Sequence, residues 1–357
     1  MNSATRSSLG VMGAVALLLI ACAACSLHPS RPEGPVPSTA SSSPKSSASE
    51  GQSGATPRSD AGAGSIVFTS NIDPAGRWDL FTMRPDGTGV KRLTILPDPK
   101  SPFSAPEWSS DGTQVVFTSP SPSSRLAQVY RIDADGSDLT QLTHGTRIDA
   151  DSADWSPDGS KIVLKRAGSA EYAIWVMNAD GSGLERLTSE VYDNSDPTFT
   201  PDGKHILYAS QKGGSSAIWI MNADGSDQRR LTPAALEAAS PDVSPDGSHV
   251  VFGQGGDPSN PASIYTMRIN GSAITRLTDP GCCNHDGLPK YSPDGKQIVY
   301  LTDRNYPNAL DGMDIYVTNA DGTDQHQVTS NLTSGGWPDP PYFNGVYPDW
   351  GPRQVAG

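Results

Sequence analysis

The chain is poor in several things, and each shortage excludes a class. Aromatic residues make up only 7 % of its 357 residues, there are six histidines, and there are four cysteines. Two cysteines, Cys22 and Cys25, lie near the N-terminus and two, Cys282 and Cys283, are adjacent, where Cys-Cys-x-His is a poor spacing for a tetrahedral zinc site. Lys and Arg number 26 against 39 Asp and Glu, a net charge of −13. No basic stripe stands out, which argues against a nucleic-acid binder. After residue 25 no segment sustains a 3.6-residue apolar period, which argues against a helical protein. Signatures of hydrolases, zinc proteases and phosphate-binding loops are missing: no Gly-x-Ser-x-Gly, no His-Glu-x-x-His, no Gly-x-x-x-x-Gly-Lys.

What the chain does have is repetition. Met-Asn-Ala-Asp-Gly-Ser at 177–182 returns at 221–226, with variants at Met83–Thr88, Ile132–Ser137, Met267–Ser272 and Thr318–Thr323. A Leu-Thr or Val-Thr follows each, from Leu93-Thr94 to Val328-Thr329. The turn glycines are Gly87, Gly136, Gly181, Gly225, Gly271 and Gly322, at steps of 49, 45, 44, 46 and 51 residues. A period in that range marks a solenoid, a propeller or an array. A second box alternates with the first: Ser-Pro-Asp-Gly at 156–159, 244–247 and 292–295, with variants at 109–112 and 200–203. Pro pre-sets φ, Asp supports the turn and Gly supplies positive φ, which is hairpin chemistry.

Short β-rich runs lie between the boxes, such as Val115-Val116-Phe117 and Ile174-Trp175-Val176-Met177. They are apolar on both faces and bounded by Gly, Pro and Asp, so they read as strands buried on both sides. Each repeat is then four strands: A, ending in an anchor (Trp108, Trp155, Phe199, Val243, Tyr291); B, the Val/Ile run; C, Ile-aromatic-x-Met; and D, ending at Leu-Thr. The first repeat begins at B (Ile66–Ser70), and the last segment, Tyr347–Pro352, is an A strand without a B. Joined, they make one blade and remove the open sheet edges. The expectation is an all-β, six-bladed β-propeller of four-stranded blades over residues 64–357, closed by the C-terminal strand completing the first blade.

The Trp-Ser-Pro-Asp-Gly and Met-Asn-Ala-Asp-Gly boxes with Leu-Thr resemble the TolB-like, WD-like repeats of bacterial envelope proteins. The resemblance covers residues 64–352, and its motifs speak for fold far more than for function. It implies that the site lies at the channel mouth, on the face of the D–A and B–C loops.

Residues 1–25 are expected to be a signal peptide. Arg6 supplies a minimal basic region, and the apolar stretch Gly10–Ile20 is too short to span a bilayer. Leu19-Ile20-Ala21-Cys22 resembles a lipobox, whose Cys would be lipidated; Cys25 is the alternative. Residues 26–63 read as a disordered Ser/Pro-rich linker that cannot offset its ordering entropy by burial. These features place the propeller outside the cytoplasm, held to the cell membrane by a lipid anchor.

Register selects the candidate site. Six residues before each anchor stand Pro102, Asp149, Asp193, Glu237, His285 and Asn344, a potential polar ring. With Asp286 they form a candidate binding set, suited to Ca²⁺ or another cation, or to a cationic ligand group; a hydrated funnel is the blander alternative. Asp133–Asp138 mimics a calcium loop, but its Gly is fourth rather than sixth, so it reads as a turn. Cys282 and Cys283 read first as a vicinal disulfide and second as a metal site with His285. Tyr306 and Trp337, on long loops, are candidate recognition aromatics. No catalytic residue is assigned. The leading expectation is a module binding an envelope protein or peptide; the alternatives are an enzyme at the channel mouth, a glycan hydrolase or lyase, and a small-ligand or carbohydrate binder.

Overall fold

The computed structural model describes residues 64–71, 78–95, 105–145, 148–168, 171–254, 261–279, 281, 284–306, 313–329 and 347–352. The expected signal peptide, linker and lipidated cysteine, the Cys282-Cys283 pair, Pro102, Trp337 and Asn344 all lie outside them.

In chain order the strands are β1 (Ser65–Ser70), β2 (Asp79–Met83) and β3 (Lys91–Ile95), then β4 (Glu107–Trp108), β5 (Gln114–Pro120), β6 (Ala127–Asp133) and β7 (Thr140–Gln141). The third group is β8 (Ala150–Trp155), β9 (Lys161–Ala167), β10 (Tyr172–Asn178) and β11 (Glu185–Arg186). The fourth is β12 (Asn194–Phe199), β13 (His205–Ser210), β14 (Ala217–Asn222) and β15 (Arg229–Arg230). The fifth is β16 (Ala238–Val243), β17 (His249–Gln254), β18 (Ile264–Arg268) and β19 (Thr275–Arg276). The last is β20 (Asp286–Tyr291), β21 (Gln297–Thr302), β22 (Asp314–Asn319), β23 (His326–Gln327), followed by β24 (Asp349–Gly351). They form six antiparallel four-stranded sheets, and the first has the order β24-β1-β2-β3. The C-terminal strand completes the first blade through Ser65↔Gly351, Ile66↔Trp350 and Val67↔Asp349. The structure is thus the six-bladed propeller that the repeat demands.

Each blade uses the same chemistry. On strands B and C an apolar residue faces an aromatic: Phe68↔Phe81, Phe117↔Tyr130, Leu164↔Trp175, Tyr208↔Trp219, Phe252↔Tyr265 and Tyr300↔Tyr316. The Phe117–Tyr130 rings stack with centroids 5.6 Å apart, the offset range in which aromatic pairs attract. B-strand residues such as Phe68, Phe117, Tyr208, Phe252 and Tyr300 are fully buried between blades. The Ser-Pro-Asp-Gly box is an i→i+3 turn; in blade 3 Gly159 N–H donates to Ser156 O (2.8 Å), while Asp158 Oδ1 accepts from Ser156 Oγ (2.6 Å) and Ser160 N–H (3.0 Å).

The two halves of the other signature meet between blades. The Thr of each Leu-Thr accepts the N–H that opens strand C, as Thr188 Oγ1 does from Ile174 (2.8 Å), in five blades. The turn glycine of the following blade then lies directly on the preceding blade's Leu or Val carbonyl. At Gly181, φ is +85°, and a Cβ would sit 2.6 Å from Leu142 O. Only glycine supplies both that conformation and that approach. The outer D strands β11, β15 and β19 carry exposed Arg186, Arg229, Arg230 and Arg276, which blunt the sheet edges.

Candidate functional site

The inner A strands line the central channel, and each carries one chemically important position. It is the residue just before the anchor: Asp349, Glu107, Asp154, Thr198, Asp242 and Lys290 in blades 1 to 6. Four carboxylates and one ammonium are thus placed around one axis. In alternate blades the carboxylate reaches across and accepts the anchor N–H of the next blade. Asp349 Oδ2 accepts from Trp108 (2.7 Å), Asp154 Oδ2 from Phe199 (3.2 Å) and Asp242 Oδ2 from Tyr291 (2.7 Å). In the remaining blades Thr198 hydrogen-bonds to Asp154, and Lys290 Nζ forms an ion pair with Glu107 Oε1 at 2.6 Å. That pair joins blade 6 to blade 2 across blade 1.

Electrostatically the ring is crowded. Burial pushes the Asp242 carboxyl up to about 6, with Asp349 and Asp154 adding to the rise against Lys290. Burial also raises Glu107 and Asp154. It opposes the charge of Lys290, but Glu107, Asp242, Asp349 and Asp154 outweigh it and hold the ammonium well above the usual lysine range. A cluster so coupled titrates as a unit.

Above the ring lies a cavity of about 60 Å³, room for a few waters. All six blades line it, through Ala105, Ser152, Asp196, Ser240, Leu288 and Tyr347, each two residues before a ring position. Four of these residues have positive φ, near +50°: Ser152, Asp196, Ser240 and Leu288. They are the bulges at which the A–B registers of blades 3 to 6 shift. Bulges re-aim side chains and gather at functional rims. Asp196 Oδ2 accepts from Ser240 N–H (3.2 Å) and Oγ (3.3 Å), joining blades 4 and 5.

The residues selected six places before the anchors have other surroundings. Asp149 Oδ1 accepts Ala127 N–H (2.8 Å), capping strand C of the preceding blade. Asp193 stands near Lys165, whose charge burial opposes but Asp151, Asp196 and Asp193 sustain. Glu237 is exposed, at φ +46°, closing a single 3-10 turn over Ala234–Leu236. His285 Nδ1 lies 2.8 Å from Asp303 Oδ2. Asp286 is fully buried, and both its carboxylate oxygens accept from Arg304 Nη2, at 3.0 and 2.8 Å. Tyr306 Oη donates to Asp314 Oδ1 (3.1 Å). Among the described residues, no group of three or more His, Cys, Asp or Glu is placed to hold a metal ion. The cation at the axis is the chain's own Lys290. The same register count, taken one residue before the anchor instead of six, picks out the ring.

A closed six-bladed propeller with a polar channel plugged by its own ion pair is the class that fold and site define. Residues 147–260 match the model of the TolB beta propeller domain. The chain is 32 % identical over 124 residues to the Tol-Pal system protein TolB of Anaeromyxobacter dehalogenans, covering 35 % of this chain and 27 % of that one. It is 30 % identical over 105 residues to that of Francisella tularensis subsp. mediasiatica, covering 29 % and 23 %. The matched stretch thus spans about a quarter of these relatives' length. Among solved structures, TolB from Acinetobacter baumannii superposes with a TM-score of 0.65 at 21 % identity, over 81 % of this chain and 67 % of that one. A putative TolB from Agrobacterium tumefaciens gives 0.58 at 20 %, over 82 % and 99 %. The propeller is TolB-like.

Proposed function

We propose that this protein is an exported, lipid-anchored module of the bacterial envelope that binds a protein or peptide partner at the D–A/B–C end of its channel. The observation that carries the reading is the cavity to which all six blades contribute, lined by Glu107, Asp196 and Lys290 above a ring with more carboxylates than ammonium groups. Such a funnel suits a protruding polar or basic segment of a partner. At the same D–A end the blade 3–4 loop presents Val191 and Tyr192, 67 % and 40 % exposed. Asn194 Nδ2 holds that loop through the carbonyls of Tyr172, Ser189 and Tyr192, so its aromatic ring is presented on a fixed backbone. The relatives' designation as Tol-Pal system proteins and the lipobox-like Leu19–Cys22 agree with an envelope role. The test is affinity purification of the tagged protein from native envelopes, with Val191→Ser/Tyr192→Ala and Glu237→Lys variants, which change exposed groups only. A defined partner should be recovered with the parent and reduced at least fivefold with the variants. Equal recovery from all three removes the mouth as the site.

A second reading, a glycan hydrolase or lyase at the mouth, has one observation in its favour. The His285–Asp303 pair has the geometry of a base held by an orienting carboxylate. It predicts turnover of envelope glycan fragments that His285→Gln abolishes. A parent protein that turns over none of them removes it.

A further inference from the structure

One blade of the ring is closed without a hairpin between its A and B strands: β24 pairs with β1 from the far side of the sequence. In blade 1 the three residues of β24 are held to β1 by pairing alone, whereas the A strand of every other blade runs through a turn into its B strand. Elsewhere in the channel, Asp154 clips blade 3 to blade 4 and Asp242 clips blade 5 to blade 6. Asp349 clips blade 1 to blade 2. Among the described residues the alternate junctions 2–3, 4–5 and 6–1 show no such clip; at the last of them the ring position is Lys290, and an ammonium has no lone pair to offer the Trp350 N–H. Lys290 instead spans the junction by reaching Glu107 on blade 2 (2.6 Å). The charge that secures the seam is therefore the same charge that four carboxylates share.

We propose that the channel ring is a proton-operated latch on this seam: with a proton on the ring blade 1 is held closed, and loss of that proton loosens the junction of blades 6 and 1, so that β24 opens ahead of the other strands. Asp154 from β8, Lys290 from β20 and Asp349 from β24 act on Asp242 directly; the rest of the ring is Glu107 from β4, paired with Lys290, and uncharged Thr198 from β12, bonded to Asp154. One rim further out are Asp196, Asp151, Lys165 and Tyr347. With every carboxylate ionised, a single ammonium faces four negative charges at low dielectric. Separating blades or taking up a proton relieves the repulsion. A proton on Asp242 does not break its clip, because Oδ2 accepts the Tyr291 N–H while Oδ1 carries the proton. Burial raises Asp242 to about 6 and raises Glu107 and Asp154 with it, whereas an opened, wetted channel returns these carboxyls toward their ordinary values. The sign follows: between these values the closed ring binds more protons than the open one, so rising pH favours opening. The Asp242 shift alone makes the open seam about tenfold more populated at pH 7.5 than at pH 5.

Hydrogen exchange resolved by mass spectrometry on the full chain tests this, with rates corrected for intrinsic exchange at pH 5.0 and 7.5. Peptides covering Asp349–Gly351 and Ser65–Ser70 should lose about tenfold protection at the higher pH, while His205–Ser210 in blade 4 changes little. Asp242→Asn, whose amide oxygen still accepts from Tyr291, should cut the seam's pH response to under threefold. Lys290→Met should open the seam at both values. If it does not fold, the Asp242→Asn comparison still decides. Protection that is independent of pH, that falls equally in blade 4, or that responds identically in Asp242→Asn overturns the latch.

Discussion

Replacing Gly181 by Ala perturbs the inter-blade joint more selectively than any core truncation would. Two costs are expected. An Ala at φ +85° has left the region open to L-residues, which costs about 1 kcal/mol. Its Cβ would also stand 2.6 Å from Leu142 O and 3.2 Å from Leu142 C, well inside van der Waals contact. The obstacle is backbone, so blades 2 and 3 must separate by some tenths of an ångström, an overpacking cost of roughly 1–3 kcal/mol. Gly159, in the A–B turn of the same blade, isolates the second cost. Its φ is +68°, but no atom lies within 4 Å of the Cβ position. Gly159→Ala should therefore lose only about 1 kcal/mol, and Gly181→Ala about 2–4. In thermal melts the second variant should unfold roughly 4 °C below the first. Equal melting temperatures, or a less stable Gly159→Ala, would refute the claim that the Asp-Gly and Leu-Thr signatures exist to seat one blade on the next.

Three further outcomes are expected. Thr188→Val keeps shape but strands the buried Ile174 N–H, and should cost about 1–3 kcal/mol in chemical denaturation, with Thr188→Ser losing less than half of that. Arg304→Met leaves fully buried Asp286 without its ion-pair partner and should cost about 3–5 kcal/mol, partly restored by adding Asp286→Asn. The melting temperature should peak between about pH 4 and 5. Asp242, raised to about 6, contributes stability present below its unfolded value of 3.8 and lost as pH climbs through 6. Asp158 and Asp246, lowered to about 2 first by Ser156 and Ser244 hydroxyls, contribute stability present above 3.8 and lost as pH falls toward 2. A maximum at pH 7 or above would contradict this balance.

The fold was legible because the repeat is written twice, as turn chemistry and as paired B and C strands. Even the closure could be read, from Ile66–Ser70 lacking an A strand and Tyr347–Pro352 lacking a B. The channel was harder. Taken singly, Glu107, Asp154 and Asp242 look like ordinary polar neighbours of Trp108, Trp155 and Val243. Alternation along a strand accounts for a polar residue beside an apolar anchor without any special role. Their meaning comes from sixfold convergence on one axis, and from Lys290 replacing a carboxylate there. The count six places before the anchors follows the same repeat to the loop ends, where Asp149 caps a neighbouring strand and Glu237 faces solvent. The bulges at Ser152, Asp196, Ser240 and Leu288 lacked a sequence signal, since none is the glycine that positive φ would suggest.

The functional account is tested most directly by site-specific photo-crosslinking in native envelopes. One crosslinker replaces Tyr192 at the channel mouth and another replaces Leu139 beside the C–D turns at the opposite end, two sites of similar exposure, 40 % and 43 %. The account predicts one defined protein adduct from position 192 and none from 139. Adducts from 139 alone, or the same adducts from both, would contradict it.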